Sequence, residues 1–92
     1  MNKIKHSKLI KIQNQRGLHA RAAAKFVEVT NKFNASIQVS RNGQTVSGRS
    51  IMGLMMLSAS LGSEIKITAI GVDAEMAMRA LCKLVESKFY ED

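Results

Sequence analysis

Asn42-Gly43, set between two short alternating stretches, constrains the fold more than any other pair in the chain. Both residues accept the left-handed backbone of a two-residue hairpin turn, which most dipeptides resist. Before the pair, Asn34 to Arg41 alternates Ile37 and Val39 with polar residues. After it, Thr45 and Val46 begin a return strand that Gly48 ends. An antiparallel strand pair is therefore expected in mid-chain, and the flanking segments must cover it.

Those segments alternate in type. Lys8 to Gln13 reads as a strand through Leu9, Ile10 and Ile12, and Asn14 to Gly17 breaks it. From about Ala20 to Lys32, the residues Ala23, Phe26, Val27 and Thr30 recur at helical spacing. Ser50 leads a short apolar patch ending at Leu57, read as a helix with Ser50 as N-cap. Glu64 to Ile70 alternates again as a strand. Asp73 is placed as the N-cap of a last helix, Ala74 to Lys88, with Met76, Ala77, Ala80, Leu81, Leu84 and Val85 as its apolar stripe. The order β-α-β-β-α-β-α predicts an α+β fold with helices on one face of a sheet. No repeat or linker divides the 92 residues, so one domain over 1–92 is expected, with 1–7 (His6 included) as a basic, flexible extension.

Composition narrows the function. The formal charge of +7 steers the chain towards acidic partners. Aromatics are only 4% with no Trp, and the basic residues are dispersed, which argues against a nucleic-acid partner. No apolar run approaches the ~20 residues of a membrane span, and the N-terminus lacks the apolar stretch of a secretory signal. Cys82 has no second cysteine with which to form a disulfide, metal or redox pair. It reads as a small hydrophobe beside the last helix's stripe. A cytoplasmic protein with no membrane partner is expected.

The chemistry concentrates where the first strand's exit meets the first helix, Gly17-Leu18-His19-Ala20-Arg21. A helix start exposes unpaired backbone N–H groups and the positive end of the dipole, which suits an anion. A phosphorylated His19 there would share its charge with those amides and with the bidentate fork of Arg21. The alternative is a solvated loop histidine with no chemistry. No phosphate-binding loop, metal-ligand spacing or cofactor motif is present, and none of the seven acidic residues pairs with His19 by sequence spacing. No metal and no cofactor are expected.

Two stretches carry a family resemblance. Residues 16–27, RGLHARAAAKFV, are similar to the active-site signature of HPr, the histidine-containing phosphocarrier of bacterial phosphotransferase systems. Residues 47–57, SGRSIMGLMML, resemble that family's regulatory-serine segment, at matching distance. The resemblance implies an open-faced β-sandwich, with four antiparallel strands in order 1-4-2-3 and three helices on one face. It implies that His19 takes a phosphoryl group on Nδ1 from enzyme I and passes it to enzyme IIA-type proteins. Arg21 would stabilise the phosphate and Ala20 would supply a backbone amide. Ser50 matches the serine phosphorylated by HPr kinase/phosphorylase.

Ile51, Met52 and Met55 correspond to an exposed docking patch, with Arg16, Arg21, Lys25 and Arg49 as its basic rim. Leu54 and Leu57 match core positions, and Met56 is given a core place or no role. Such a carrier turns over as a monomeric intermediate rather than acting as an enzyme. One departure stands out: Ala22 occupies the place of the family's usual proline. The sequence resembles the HPr proteins of α-proteobacteria, whose relay serves regulation, the nitrogen-related branch included. A binding module acting only through Ser50 is a second reading, and a basic nucleic-acid-binding domain a third.

Overall fold

A computed structural model describes residues 5–91. Four strands, β1 (Lys5–Lys11), β2 (Ser36–Arg41), β3 (Gln44–Ser47) and β4 (Glu64–Ile70), form one antiparallel sheet in the order β1-β4-β2-β3. Helices α1 (Ala20–Thr30), α2 (Ile51–Met56) and α3 (Ala74–Glu86) cover it, and a short turn, Lys88–Tyr90, follows α3. Asn42 and Gly43 both take positive φ, 51° and 80°, and Arg41 pairs with Gln44 across them. The expected hairpin turn and the open-faced sandwich are both present.

Alternation decides what the sheet buries. Ile10, Ile37, Val39, Ile65, Ile67 and Ala69 point under the helices, where Ala22, Ala23, Phe26, Leu54, Leu81, Leu84 and Val85 meet them. The opposite face carries Ser7, Lys66, Thr68 and Gln38, with Leu9 61% exposed among them. Among the described residues no helix is long and apolar enough to cross a membrane.

Several expectations need correction. The first strand begins at Lys5, not Lys8, so Lys5, His6 and Ser7 pair with Ile70, Ala69 and Thr68 instead of forming a flexible tail. The first four residues of the expected extension lie outside the described ones. Met56, given a core place or no role, is exposed, because α2 is a short helix and the inward positions are taken by Leu54 and by Leu57 at its C-cap. Met76 is likewise exposed, and Met78 takes the buried place in α3. Asp73 stands at the N-cap of α3, but its carboxylate accepts from the Asn34 N–H (2.7 Å) and makes no cap bond.

Candidate functional site

The loop between β1 and α1 is held rigidly before it reaches His19. Ile12 donates its N–H to Ser63 O (2.8 Å), Gly62 donates to Ile12 O (2.8 Å), and Leu18 donates to Ala59 O (2.8 Å). The loop is thus stitched to the segment joining α2 and β4. Gly17 makes the close approach possible: it sits at φ 66°, and a Cβ there would lie 2.5 Å from Ala59 O. Only a residue without a side chain fits both constraints.

His19 is the N-cap of α1, with extended backbone (φ −79°, ψ −179°), and its C=O takes the Ala23 N–H (2.8 Å) to close the first turn. The Ala20, Arg21 and Ala22 amides precede that bond and have no partner within the helix. The imidazole makes no capping bond, and those donors have no side-chain partner among the described residues. Arg21 is exposed and enters no hydrogen bond or salt bridge found among the described residues. Ala22 is fully buried and continues the helix, as its helix propensity permits.

The ring of His19 turns to a residue that spacing alone did not reveal. Its Nε2 lies 2.9 Å from Oε2 and 3.2 Å from Oε1 of Glu91, with side chains 21% and 16% exposed. Glu91 is held in turn by Asn14, whose Nδ2 donates to Glu91 Oε1 (2.6 Å) and to Gly17 O (2.8 Å). Desolvation pushes the Glu91 carboxyl up, but hydrogen bonds from Asn14 and His19 and the nearby charges of His19 and Lys25 outweigh it. The net shift is below the ordinary 4.5.

A left-handed turn brings Glu91 there. Lys88, Phe89 and Tyr90 have φ of 58°, 54° and 57°, at about 1–2 kcal/mol per residue for an L-amino acid. Two contacts offset this strain to within its uncertainty. Phe89 is fully buried, contributing about 1.5–3 kcal/mol. Its carbonyl accepts from Lys25 Nζ (2.6 Å), and a hydrogen bond from a charged donor contributes about 1.5–3 kcal/mol.

The other expected site residues fall into two groups. Ile51, Met52 and Met55 are exposed on α2, which packs beside α1, and Met52 is 74% exposed. Ser50 caps α2 through its Oγ, which accepts the Gly53 N–H at 2.9 Å. Arg16 is exposed. Arg49 is drawn away: its guanidinium donates to Thr30 O (3.3 Å) at the far end of α1, and to Phe33 O (3.1 Å) and Ala35 O (3.0 Å) in the loop behind it. That end lies roughly 16 Å along the helix axis from His19. Arg49 therefore ties down the C-terminus of α1, where a cation complements the dipole. Lys25 is half-buried and spends its ammonium on the C-terminal turn.

A cleft of about 350 Å³ between β1 and α3 shares no residue with this cluster. Cys82 lines it, and burial pushes its thiol up, with Lys8 opposing and Glu86 adding to the shift. A thiol so placed is a poor nucleophile.

A family profile described as "PTS HPr component phosphorylation site" matches residues 6–87, so Glu91 lies beyond the matched stretch. The chain is 44% identical over 81 residues to a phosphocarrier protein HPr of Xylella fastidiosa, covering 88% of this chain and 91% of that one. It is 39% identical over 82 residues to a phosphocarrier protein NPr of Shewanella violacea, covering 89% and 90%. The crystal structure of HPr-C-His from Thermoanaerobacter tengcongensis superposes with a TM-score of 0.90 at 45% identity, covering 95% of this chain and 98% of that one.

Proposed function

The chain belongs to the HPr family, the phosphocarriers of the phosphotransferase system, and from that premise we propose that His19 is the residue that carries the phosphoryl group. The observation that supports this reading is the uncapped start of α1. His19 occupies the N-cap without a side-chain capping bond, and Arg21 stands exposed two residues on, with no partner among the described residues. The Nδ1 lone pair attacks the phosphorus of a phosphohistidine on enzyme I. The donor's N–P bond breaks, and its electron pair stays with the donor nitrogen.

The incoming oxygens bring negative charge to a helix end with about half a positive elementary charge. The backbone N–H groups of Ala20 and Arg21 and the Arg21 guanidinium are the donors we assign to them. Because the site is partly exposed, water weakens each of these contacts and the group can leave again. An enzyme IIA-type histidine then takes it by the same displacement.

In this reading the exposed Ile51, Met52 and Met55 form the docking surface, and Arg16 and Arg21 steer acidic partners towards it. Lys25 adds its charge there, though its ammonium is bound to Phe89 O. Ser50 is the site of regulatory phosphorylation by HPr kinase/phosphorylase, and the relay is cytoplasmic and of the regulatory, nitrogen-related type. The test uses phosphoenolpyruvate and enzyme I from the same organism. Wild type should acquire one acid-labile, alkali-stable phosphoryl group and His19→Ala none. An unlabelled wild type with a competent enzyme I refutes the assignment.

A further inference from the structure

We propose that Glu91 is a positioning residue for His19: it holds the imidazole as the Nε2–H tautomer, which leaves the lone pair on Nδ1 for phosphoryl transfer. The inference rests on the phosphocarrier reading of His19 and concerns a residue outside the stretch that defines the family match.

The argument runs from Asn14 outwards. Asn14 is 1% exposed, and its amide faces two oxygens, Gly17 O and Glu91 Oε1. A carbonyl oxygen and a carboxylate oxygen only accept, so the Asn14 group facing them is the NH₂. That fixes one oxygen of Glu91. The other, Oε2, lies 2.9 Å from His19 Nε2. An ionised carboxylate has no proton to give, so Nε2 must carry the hydrogen. In the neutral ring the remaining nitrogen, Nδ1, then bears the lone pair.

The same contact serves the phosphorylated state. When Nδ1 bonds to phosphorus, Nε2 keeps its proton and the ring gains one positive charge. That charge faces the Glu91 carboxylate, and no proton has to move during transfer. The strained turn at Lys88–Tyr90, anchored by Phe89 and Lys25, delivers the carboxylate to this place. A tail free to wander would not.

Two variants separate positioning from mere tethering. In Glu91→Ala the ring loses its acceptor and relaxes to the tautomer mixture of a solvated imidazole. In Glu91→Gln the Asn14 NH₂ still demands an oxygen, which turns the new amide NH₂ towards His19 Nε2. That NH₂ needs an acceptor, so the ring should switch to the Nδ1–H tautomer. The readout is the pair of ring ¹⁵N shifts of unphosphorylated protein, at a pH where His19 is neutral. A residue that only tethers the tail changes stability in these variants and leaves the ring shifts alone.

The second readout is chemical. Phosphoramidate phosphorylates imidazoles without a docking partner: the ring nitrogen bonds to phosphorus, and ammonia leaves with the electron pair of the broken N–P bond. Wild type should be labelled on Nδ1 only, and Glu91→Ala on both nitrogens, as ³¹P spectra distinguish. The proposal is overturned if both variants keep the wild-type Nε2–H ring, or if Glu91→Ala is still labelled on Nδ1 alone. Neither result touches the carrier reading, which fails separately if enzyme I leaves wild-type His19 unlabelled.

Discussion

Nε2 of His19 and Oε2 of Glu91 lie 2.9 Å apart although 72 positions separate them in the chain. The contact joins the start of α1 to the last described residue, and it exists because of how the tail is folded. Asn14 and Lys25 supply the donors that hold it, and Phe89 supplies the anchor.

The first prediction concerns pH. The folded protein holds the Glu91 carboxyl below its ordinary 4.5, so the unfolded chain binds its proton more readily. The tie is therefore fully present above pH 4.5 and is lost as pH falls through the lower folded-state value. The Glu91 side-chain carboxyl ¹³C shift should titrate with a midpoint under 4.5, and the Glu91 amide should lose exchange protection over the same range. A midpoint at or above 4.5 contradicts the contact network.

Gly17→Ala should be costly. The substitution places a methyl group 2.5 Å from Ala59 O at a φ of 66°. Both the clash and the left-handed backbone oppose it, and a loss of about 2–3 kcal/mol is expected. For a domain of this size that lowers the melting temperature by roughly 8–24 °C. Thermal unfolding by circular dichroism checks it; a variant within a degree or two of wild type would show that the loop is not pinned to Ala59.

Much of the fold was legible because burial follows a simple period. The strands alternate, and Asn42-Gly43 announces its hairpin by a conformational requirement few residues meet. His19, Ala20 and Arg21 could be placed at a helix start because a broken strand and a run of alanines meet there. The apolar spacing was less decisive in the methionines. Met56 and Met76 fit a helical stripe by type, yet a short or peripheral helix buries only the innermost positions, which Leu54, Leu57 and Met78 fill. Glu91 was illegible for a different reason. Three consecutive left-handed residues without a glycine have no local sequence signal, since side chain and backbone both oppose them. The one available hint was Phe89, a large aromatic residue just past the helix end whose burial requires the tail to fold back.

Arg49 and Arg16 differ in what their charges touch, so their alanine variants should differ in stability. Arg49→Ala removes one bond to the last carbonyl of α1, Thr30 O, and two to the loop behind it, Phe33 O and Ala35 O. Discounted for exposure, the loss should be about 1–2 kcal/mol. Arg16 is exposed, and Arg16→Ala should stay within about 0.5 kcal/mol of wild type. Urea unfolding of the two variants side by side tests this; equal stabilities would mean that Arg49 does not cap the helix.

Ser50 carries a structural duty and a proposed regulatory one, and three substitutions separate them. Its Oγ accepts the Gly53 N–H at 2.9 Å, so Ser50→Ala loses the cap at a cost of about 1 kcal/mol. Asparagine and aspartate are good caps, and Ser50→Asn and Ser50→Asp should both keep near wild-type stability. They differ by one negative charge beside the exposed Ile51 and Met52. If a charge at this helix start repels the acidic face of enzyme I, Ser50→Asp should take up label from phosphoenolpyruvate several-fold more slowly than Ser50→Asn. The difference should shrink as salt is raised, because exposed charges are screened over about 10 Å at 0.1 M ionic strength. Equal labelling of the two variants at low salt would remove the electrostatic basis of the proposed switch, leaving Ser50 as a cap alone.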